Sequence, residues 1–346
     1  MTQAIETEAA RYAVRRWSRL SRISLTAVGA VVLALALVPL ALSTYATEQL
    51  TQLLILVILA AMWNALAGYG GLISIGQQAF LGFGAYATIV LTQRGVPPYL
   101  AIALAALAAG GLAAPVSILV LRLRGGQFAI GMWVVAEVLA LLIALIPSVG
   151  GGTGVSLTGL NVHAPADRQA YTYWLTLGFA VGLLGLVFAV LRSPAGAALQ
   201  AIRDDEAAAA SLGVRVEASK RLVFVLAAFG CGAAGALTLA NTLFIQPRSI
   251  FGVQWTAYMI FMVLVGGLGS FEGPLLGAVA FFAIQHWFAH LGAWYLIGLG
   301  LTAIGFALVL PRGIWGWLEH RLDLRLFPLG HRLERTERTG APPERS

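Results

Sequence analysis

The chain has 346 residues, of which 59% are hydrophobic and only 11% are charged, and its mean hydropathy is +0.84. A soluble globular domain carries about twice that proportion of charged residues, so the composition excludes one and indicates an integral membrane protein. The formal net charge is +7. In so apolar a chain, this positive charge indicates how the loops are distributed across a bilayer. It does not indicate a nucleic-acid-binding surface.

Long apolar segments follow one another along almost the whole chain. A helix needs about 20 apolar residues to cross about 30 Å of hydrocarbon, and by this measure the sequence predicts ten transmembrane segments. They cover residues 25–45, 48–67, 70–92, 98–121, 126–147, 171–191, 222–241, 251–269, 273–290 and 293–311. The third, eighth and ninth contain clustered glycines, which are typical of broken or re-entrant helices. We therefore expect an all-α, polytopic membrane helix bundle of about ten transmembrane helices.

The distribution of Lys and Arg supports an even number of crossings. Cytoplasmic loops of membrane proteins carry an excess of these residues. With ten spans and both termini in the cytoplasm, 19 of the 22 basic residues lie on the cytoplasmic side, and the exceptions are Arg94, Arg168 and Arg248. Removing one span would move whole basic clusters to the other side of the bilayer. The sequence therefore predicts that both termini are cytoplasmic.

Three regions follow from this topology. Residues 1–24 form a basic cytoplasmic N-terminal segment, residues 25–315 a transmembrane domain, and residues 316–346 a polar cytoplasmic tail. The Arg-rich start before an apolar run is similar to a signal peptide. Its apolar core is too long for one and further spans follow, so we expect an uncleaved first helix.

One polar stretch, residues 192–221, interrupts the apolar segments on the predicted cytoplasmic side. Ser193 followed by Pro194 is typical of the start of a helix, and Gly213 of its end. The residues between them predict one surface helix or two short ones. The small side chains of residues 207–210 would let this helix fit into a cleft of another protein. A solvated loop with helical propensity is the alternative interpretation.

Motifs for nucleotide or metal binding are missing from the sequence. A phosphate-binding loop of the form GxxxxGK[ST] requires a lysine, and the single lysine, Lys220, does not stand in such a motif. His286 and His290 have a ligand-like spacing, but the aromatic residues around them are more typical of an interfacial belt. We therefore expect no cofactor, no metal and no catalytic site, and any ATP hydrolysis must occur on another chain.

Five polar side chains within the predicted spans are candidates for a translocation path: Asn64, Ser74, Gln77, Gln78 and Glu137. Glu137 is the one carboxylate well inside an apolar segment, and inserting such a charge at the bilayer centre costs roughly 3 kcal/mol. It must therefore face protein or water. Two roles remain open for these residues, because hydrogen bonds between helices explain them at least as well as a solute path does.

Four motifs in order resemble the membrane permease subunits of ABC importers for branched-chain amino acids, the LivM type. The resemblance runs from about residue 45 to 315. Its motifs are GYGGLISIGQQAFLGFGAY, LRLRGGQFAIGMWVVAEVL, RSPAGAALQAIRDDEAAAASLGVRVEASKRLVFVLAAFGCGAAGAL, and MVLVGGLGSFEGPLLGA with a later PRG.

The resemblance implies a transport subunit in the bacterial plasma membrane. It would work with a homologous permease, two cytoplasmic ABC ATPases and an extracytoplasmic solute-binding protein, in the lipid bilayer and without nucleic acid. The polar stretch would be the coupling helix that docks on an ATPase, and its matching residues here are Arg203, Asp204, Asp205, Glu206, Ala208, Ala209 and Gly213. The solute would be a branched-chain or related small hydrophobic amino acid, moved by alternating access.

Three alternatives stay open at the level of sequence. The chain differs from the usual family pattern at Gln77, Gln78 and Tyr258, and relatives of this architecture take up urea or short amides instead. An autonomous channel or secondary carrier would also use ten spans, a membrane carboxylate and broken helices. A purely structural subunit, which leaves the solute path to its partner, is the third.

Overall fold

The structure is a computed structural model that describes residues 12–15, 19–160, 164–310, 312–322 and 332–335. Helices dominate the described residues, as the sequence predicts. They are α1 Arg19–Ala36, α2 Val38–Ala41, α3 Thr44–Asn64, α4 Gln78–Gln93, α5 Pro98–Val120, α6 Gly126–Ala144, α7 Pro165–Arg192, α8 Pro194–Asp204, α9 Glu206–Ser211, α10 Val216–Thr242, α11 Pro247–Ile250, α12 Gln254–Gly266, α13 Gly273–Phe288, α14 Ala293–Val309 and α15 Gly313–Leu322.

Two short strand pairs complete the described fold. Strand β1 (Tyr12–Arg15) pairs antiparallel with β4 (Arg332–Arg335), and β2 (Val155–Ser156) pairs antiparallel with β3 (Phe244–Ile245). The first pair joins segments close to the two ends of the chain. The two paired segments therefore lie on the same side of the bundle, which agrees with an even number of crossings between them.

Helices α3 and α10 form the centre of the bundle, and their most apolar stretches are 83% buried. Small residues let α10 approach its neighbours closely, as is usual for helices that pack in lipid. A Cβ on Gly84 of α4 would lie 2.1 Å from the carbonyl oxygen of Gly232, and one on Gly235 would lie 1.8 Å from that of Leu81. No side chain fits at either position. The FLGFGAY motif is therefore a packing surface for α10.

Eight of the ten predicted spans coincide with helices that are long and apolar enough to cross a membrane. The first and third predicted spans differ. The first contains the apolar helical stretch Thr26–Ala36, followed by the short α2. The third begins with non-helical residues 70–77 and becomes helical only at α4, which has 16 residues. A broken helix at this glycine cluster was expected, whereas the glycine-rich eighth and ninth segments are long enough to span.

The turn between α12 and α13 is compact because glycines line both helices. A Cβ on Gly277 would lie 1.7 Å from the carbonyl oxygen of Met262. Pro274 stands in the first turn of α13, where its missing N–H costs no hydrogen bond. The Ser270 hydroxyl accepts a hydrogen bond from the Gly273 amide, the first of α13, at 3.1 Å.

The terminal regions are described only in part. The predicted N-terminal segment 1–24 is covered at residues 12–15 and from residue 19 onward, and the predicted tail is covered only to Leu322 and over β4. Helix α15 continues through residue 315, so the predicted boundary between transmembrane domain and tail falls inside a helix. The rest of both regions lies outside the described residues.

Candidate functional site

The polar stretch 192–221 folds into two short helices that follow α7, one of the two predicted arrangements. Ser193 accepts a hydrogen bond from the Ala195 amide at 3.2 Å, and Pro194 begins α8. The chain then becomes extended at Asp205, whose carboxylate accepts from the Ala207 and Ala208 amides at 2.9 and 3.0 Å and so caps α9. Gly213 follows with a φ of +85°. The predicted start of the first helix at Ser193 and Pro194 and the predicted end at Gly213 are thus confirmed. Asp205 caps the start of a second helix between them.

Helix α8 lies against the bundle with one apolar face. Its buried residues are Gly196, Leu199 and Ile202, which recur at helical spacing. A Cβ on Gly196 would lie 2.1 Å from the Leu191 carbonyl oxygen, so the chain can turn sharply from α7 into α8 only with glycine there. The helix is therefore packed on the membrane domain and is not a freely solvated segment.

Arg203, at the end of α8, reaches into the bundle. Its Nη1 donates a hydrogen bond to the Gly68 carbonyl oxygen at 2.9 Å, while Nε and Nη2 donate to Asp204 Oδ1 at 3.0 and 2.9 Å. Gly68 belongs to the π-helical turn Ala65–Tyr69 that ends α3. Single π turns are frequent at functional sites in helices. The guanidinium group thus connects the surface helices directly to the central helix.

The same turn is joined to the α12–α13 loop through Asn64. The Asn64 side-chain amide donates to the Ser270 carbonyl oxygen, and its Oδ1 accepts from the Gly269 amide, both at 2.8 Å. The end of α3 and the loop between α12 and α13 are therefore in direct contact, and a Cβ on Gly68 would lie 2.7 Å from the Gly269 amide nitrogen. Asn64, predicted as a path residue, is fully hydrogen-bonded here and acts as a connector.

Glu206 and Lys220 hold α9 against the start of α10. The Lys220 Nζ lies 2.6 Å from Glu206 Oε2, and the lysine side chain is largely buried. Ala209 is only 2% exposed and faces the protein. Of the predicted coupling residues, Arg203 and Glu206 thus bond to other elements of the bundle, and Ala209 packs inward. The sequence motifs assign no role to Lys220. Its partner Glu206 lies 14 residues away, and no local pattern predicts that pair.

The outward surface of α9 is formed by different residues. Asp204, Asp205, Ala208 and Gly213 are exposed, as predicted for contact residues. Leu212, which the sequence analysis missed, is 85% exposed at the tip of the segment. Among the exposed residues of 203–213 it is the one large apolar side chain. The sequence offers one indication of this residue: it is a single apolar side chain directly before Gly213, the glycine that ends the helix.

Four of the five predicted path residues lie around the break in the third span. Ser74 and Gln78 are completely buried and bonded to their surroundings: Ser74 Oγ accepts from the Gly76 amide at 3.2 Å, and Gln78 bonds to Thr256 and to the Ile75 carbonyl oxygen. Gln77 is also completely buried, but neither its Oε1 nor its Nε2 has a hydrogen-bond partner. An unpaired buried amide is unfavourable, so Gln77 is the one member of this group that can still accept a polar solute or water.

Glu137 does not join this cluster. It lies on the exposed side of α6, where its Oε1 accepts a hydrogen bond from Trp133 Nε1 at 3.2 Å. The break packs against the same helix, because a Cβ on Gly76 would lie 2.0 Å from the Met132 carbonyl oxygen. Four of the five candidates are therefore buried inside the chain, and Glu137 alone lies on its outer face.

Comparison with known proteins gives an independent result. The family model described as "Branched-chain amino acid transport system / permease component" matches residues 45–310. The high-affinity branched-chain amino acid transport system permease protein LivM of Salmonella typhimurium is 27% identical over 314 residues, which cover 83% of this chain and 74% of the relative. The Escherichia coli protein of the same name matches to the same extent.

A more distant relative is the probable branched-chain amino acid transport permease protein LivM of Methanocaldococcus jannaschii, which is 24% identical over 167 residues, 47% of this chain and 48% of the relative. No solved structure matches the chain. The family match spans most of the sequence, and the apolar helices are those of a multi-pass inner-membrane protein. The chain belongs to the family of branched-chain amino acid ABC transporter permeases.

Proposed function

We propose that this chain is the permease subunit of an ATP-driven importer that moves branched-chain or related small hydrophobic amino acids by alternating access. Family membership and the named relatives support the solute class. One structural observation carries the mechanism: the surface helices α8 and α9 are connected to the central helix α3 through the Arg203–Gly68 hydrogen bond. A segment that moved independently of the bundle would not transmit force.

The partners follow from this role. One of two cytoplasmic ABC ATPases would bind the outward surface of the segment, a homologous permease would complete the membrane part, and a solute-binding protein would deliver the amino acid from outside. We assign direct ATPase contact to Asp204, Asp205, Ala208, Leu212 and Gly213, which are all exposed. Arg203, Glu206 and Ala209 would instead hold the segment in place.

Force would reach the membrane helices along two routes that share the π turn. Displacement of α8 would pull on Gly68 through Arg203, and the turn is adjacent to Asn64, which holds Gly269 and Ser270 between α12 and α13. A movement of the coupling helices would therefore act on α3, α12 and α13 together. ATP then shifts the population between two access states because the ATPases bind one of them more tightly.

We assign Gln77 to the solute path, because its amide has no protein partner. Ser74 and Gln78 would shape the path by holding the broken third span in position, and Asn64 would do so by holding the loop between α12 and α13. Glu137 lies on the outer face of α6, apart from these residues, and we do not assign it to the path that Gln77 lines.

The test is co-purification and reconstitution. Replacing residues 203–213 by a Gly-Ser linker should abolish co-purification of the co-expressed ATPase, while membrane insertion and the monodisperse elution of the permease persist. Proteoliposomes containing the whole complex should take up leucine only with ATP. Gradient-driven leucine flux through this chain alone would refute the proposal and support an autonomous carrier, and uptake of urea but not leucine would refute the solute class.

A further inference from the structure

Gln77 stands directly before helix α4, at the end of the break in the third span. Its side chain is completely buried, and neither Oε1 nor Nε2 has a hydrogen-bond partner in the protein. The neighbouring Gln78 is buried to the same extent, but it bonds to Thr256 and to the Ile75 carbonyl oxygen. Folded chains pair nearly all of their buried polar groups, because an unpaired amide loses its water without compensation. Gln77 therefore keeps a donor and an acceptor for a group that the chain does not supply.

The positive end of a helix lies beside this amide. Helix α4 has 16 residues, and Gln77 occupies the position that caps its N-terminus. The aligned peptide dipoles place partial positive charge there, which favours a carboxylate. Broken helices in membrane transporters direct their N-termini at anionic groups of the solute in the same way. A carboxylate at this position could also accept a hydrogen bond from the Gln77 Nε2.

The charge of the surroundings limits the solute further. Residues 70–85, which form the break and the first half of α4, contain no Asp, Glu, Lys, Arg or His. An ion without a compensating charge is unfavourable in such surroundings. An α-amino acid has no net charge, and its carboxylate and ammonium groups are attached to the same carbon atom, so one planar amide can bond to both. Urea and short amides have no carboxylate for the helix N-terminus.

We propose that Gln77 and the N-terminus of α4 bind the α-carboxylate and the α-ammonium group of the amino acid during translocation. The inference rests on the proposed importer function and specifies which part of the solute this chain recognises. Nε2 and the helix N-terminus would hold the carboxylate, and Oε1 would accept from the ammonium group. Phe80 lies three residues further along the same helix and packs against Phe224, with 5.5 Å between the ring centroids. This pair provides an apolar surface for the side chain of the solute.

The break must move before a solute can reach the buried Gln77, and the cytoplasmic segment is placed to move it. Gly71, near the start of the break, has a φ of +67°, and a Cβ there would lie 3.3 Å from the Arg203 Cα. The Leu72 amide donates to the Leu66 carbonyl oxygen of the π turn at 3.1 Å. The break is therefore attached to the same elements that Arg203 connects. Displacement of α8 would shift the chain that leads to Gln77.

Leucine binding to the membrane complex tests this recognition. The co-expressed permeases and ATPases are placed in nanodiscs without the solute-binding protein, both nucleotide-free and trapped with vanadate, and binding of radiolabelled leucine is measured by scintillation proximity. Unlabelled leucine should displace the label at least about tenfold better than leucinamide, which has no carboxylate, or 4-methylpentanoate, which has no ammonium group. Equal displacement by either analogue, or no saturable leucine binding in either state, would overturn the proposal.

Variants of Gln77 separate recognition from packing. Gln77→Met keeps the size of the side chain but removes its donor and acceptor, so leucine binding should fall at least about tenfold without a fall in the melting temperature. The matched control is Gln93→Met at the other end of α4, where the Gln93 amide donates to the Ser148 carbonyl oxygen at 2.8 Å. Leucine binding should be unchanged in this control. Unchanged binding by Gln77→Met would refute the proposal.

A charged variant gives a result that a purely structural glutamine would not give. Gln77→Glu keeps an acceptor for the ammonium group but repels a carboxylate. It should therefore bind leucinamide better than leucine, which reverses the order in the parent complex. The parent order in this variant, with leucine preferred, would contradict direct contact between residue 77 and the carboxylate.

Uptake by the complete importer separates this inference from the function on which it rests. Suppose that the whole complex, with its solute-binding protein, takes up leucine only with ATP, while leucine and its analogues compete equally at the permease. The assignment of Gln77 is then wrong and the importer function stands. Absence of ATP-dependent leucine uptake by the parent complex would refute the importer function itself.

Discussion

Arg203 and Gly68 are 135 residues apart in the sequence, yet the arginine Nη1 donates a hydrogen bond of 2.9 Å to the glycine carbonyl oxygen. The acceptor lies in a π-helical turn, and the donor ends the first helix of the cytoplasmic segment. A charge-assisted bond of this kind contributes about 1.5–3 kcal/mol. It is the direct polar connection between the segment proposed to meet the ATPase and the central helix of the bundle.

Removing this connection should separate ATP hydrolysis from transport. Arg203→Ala deletes the bond to Gly68 but leaves Ala208 and Leu212 exposed for the ATPase. We expect co-purification of the ATPase to persist while leucine uptake falls at least tenfold, measured in proteoliposomes with both activities recorded. Arg203→Lys, which keeps the charge but not the fork geometry, should retain an intermediate rate. Equal loss of ATPase binding and uptake would contradict a transmitting role.

Two neighbouring alanines should respond differently to enlargement. Ala208 is exposed, so Ala208→Trp should block ATPase docking and uptake without changing the melting temperature in detergent. Ala209 is 2% exposed, so Ala209→Trp should overpack the contact between α9 and the bundle and destabilise it by about 1–3 kcal/mol. Identical melting curves for the two variants would show that the burial pattern of α9 is wrong.

Leu212 should contribute apolar contact area to the ATPase. The side chain is 85% exposed in the isolated permease, and burying a leucine stabilises a complex by about 1.5–3 kcal/mol. Leu212→Ser should therefore weaken ATPase binding at least tenfold in a titration by microscale thermophoresis, and Leu212→Met should bind nearly as well as the parent. Unchanged binding by the serine variant would place Leu212 outside the interface.

Glycine at position 68 should be required for the structure of the π turn. A Cβ there would lie 2.3 Å from Asn64 Oδ1 and 2.7 Å from the Gly269 amide nitrogen, so Gly68→Ala forces the π turn away from the loop between α12 and α13. We expect a loss of about 1–3 kcal/mol in stability, seen as a lower melting temperature. Gly178 of α7 provides a control, because a Cβ there meets no atom within 4 Å. Equal melting temperatures for both variants would contradict the close approach at Gly68.

Replacing Gln77 by an apolar residue should raise the stability of the protein and abolish transport. Its buried amide has no partner, and replacing such a group by an apolar one of similar size removes a penalty of about 1–3 kcal/mol. Gln77→Leu should therefore raise the melting temperature while abolishing uptake of the amino acid. A stabilised variant that transports at the parent rate would remove Gln77 from the solute path.

Local signals in the sequence predict most of the long helices and the limits of the cytoplasmic segment. Ser193, Pro194 and Gly213 predict the limits of the cytoplasmic segment because capping depends on residues a few positions apart. The glycines at 70 and 71 predict the broken third span for the same reason.

Long-range pairing and orientation could not be predicted in the same way. Nothing local indicates that Arg203 binds Gly68 or that Asn64 holds Gly269 and Ser270. Residues 207–210 are four alanines, so their side chains cannot reveal that Ala209 faces inward. Helix α6 has apolar residues on all sides, so its sequence has no polar face that would indicate its orientation. The outward direction of Glu137 therefore becomes clear only from the packing of the neighbouring helices.

The side of the membrane on which residues 192–221 lie tests the account most directly. Leu212 precedes α10 and Ser249 follows it, so the 27-residue helix separates the two positions by about 40 Å along its axis. Single cysteines at these positions can be labelled with a membrane-impermeant maleimide, because the native Cys231 is buried. The account predicts that Leu212→Cys reacts only in inside-out vesicles and is protected by bound ATPase, while Ser249→Cys reacts only in right-side-out vesicles. Labelling of Leu212→Cys in right-side-out vesicles would contradict it.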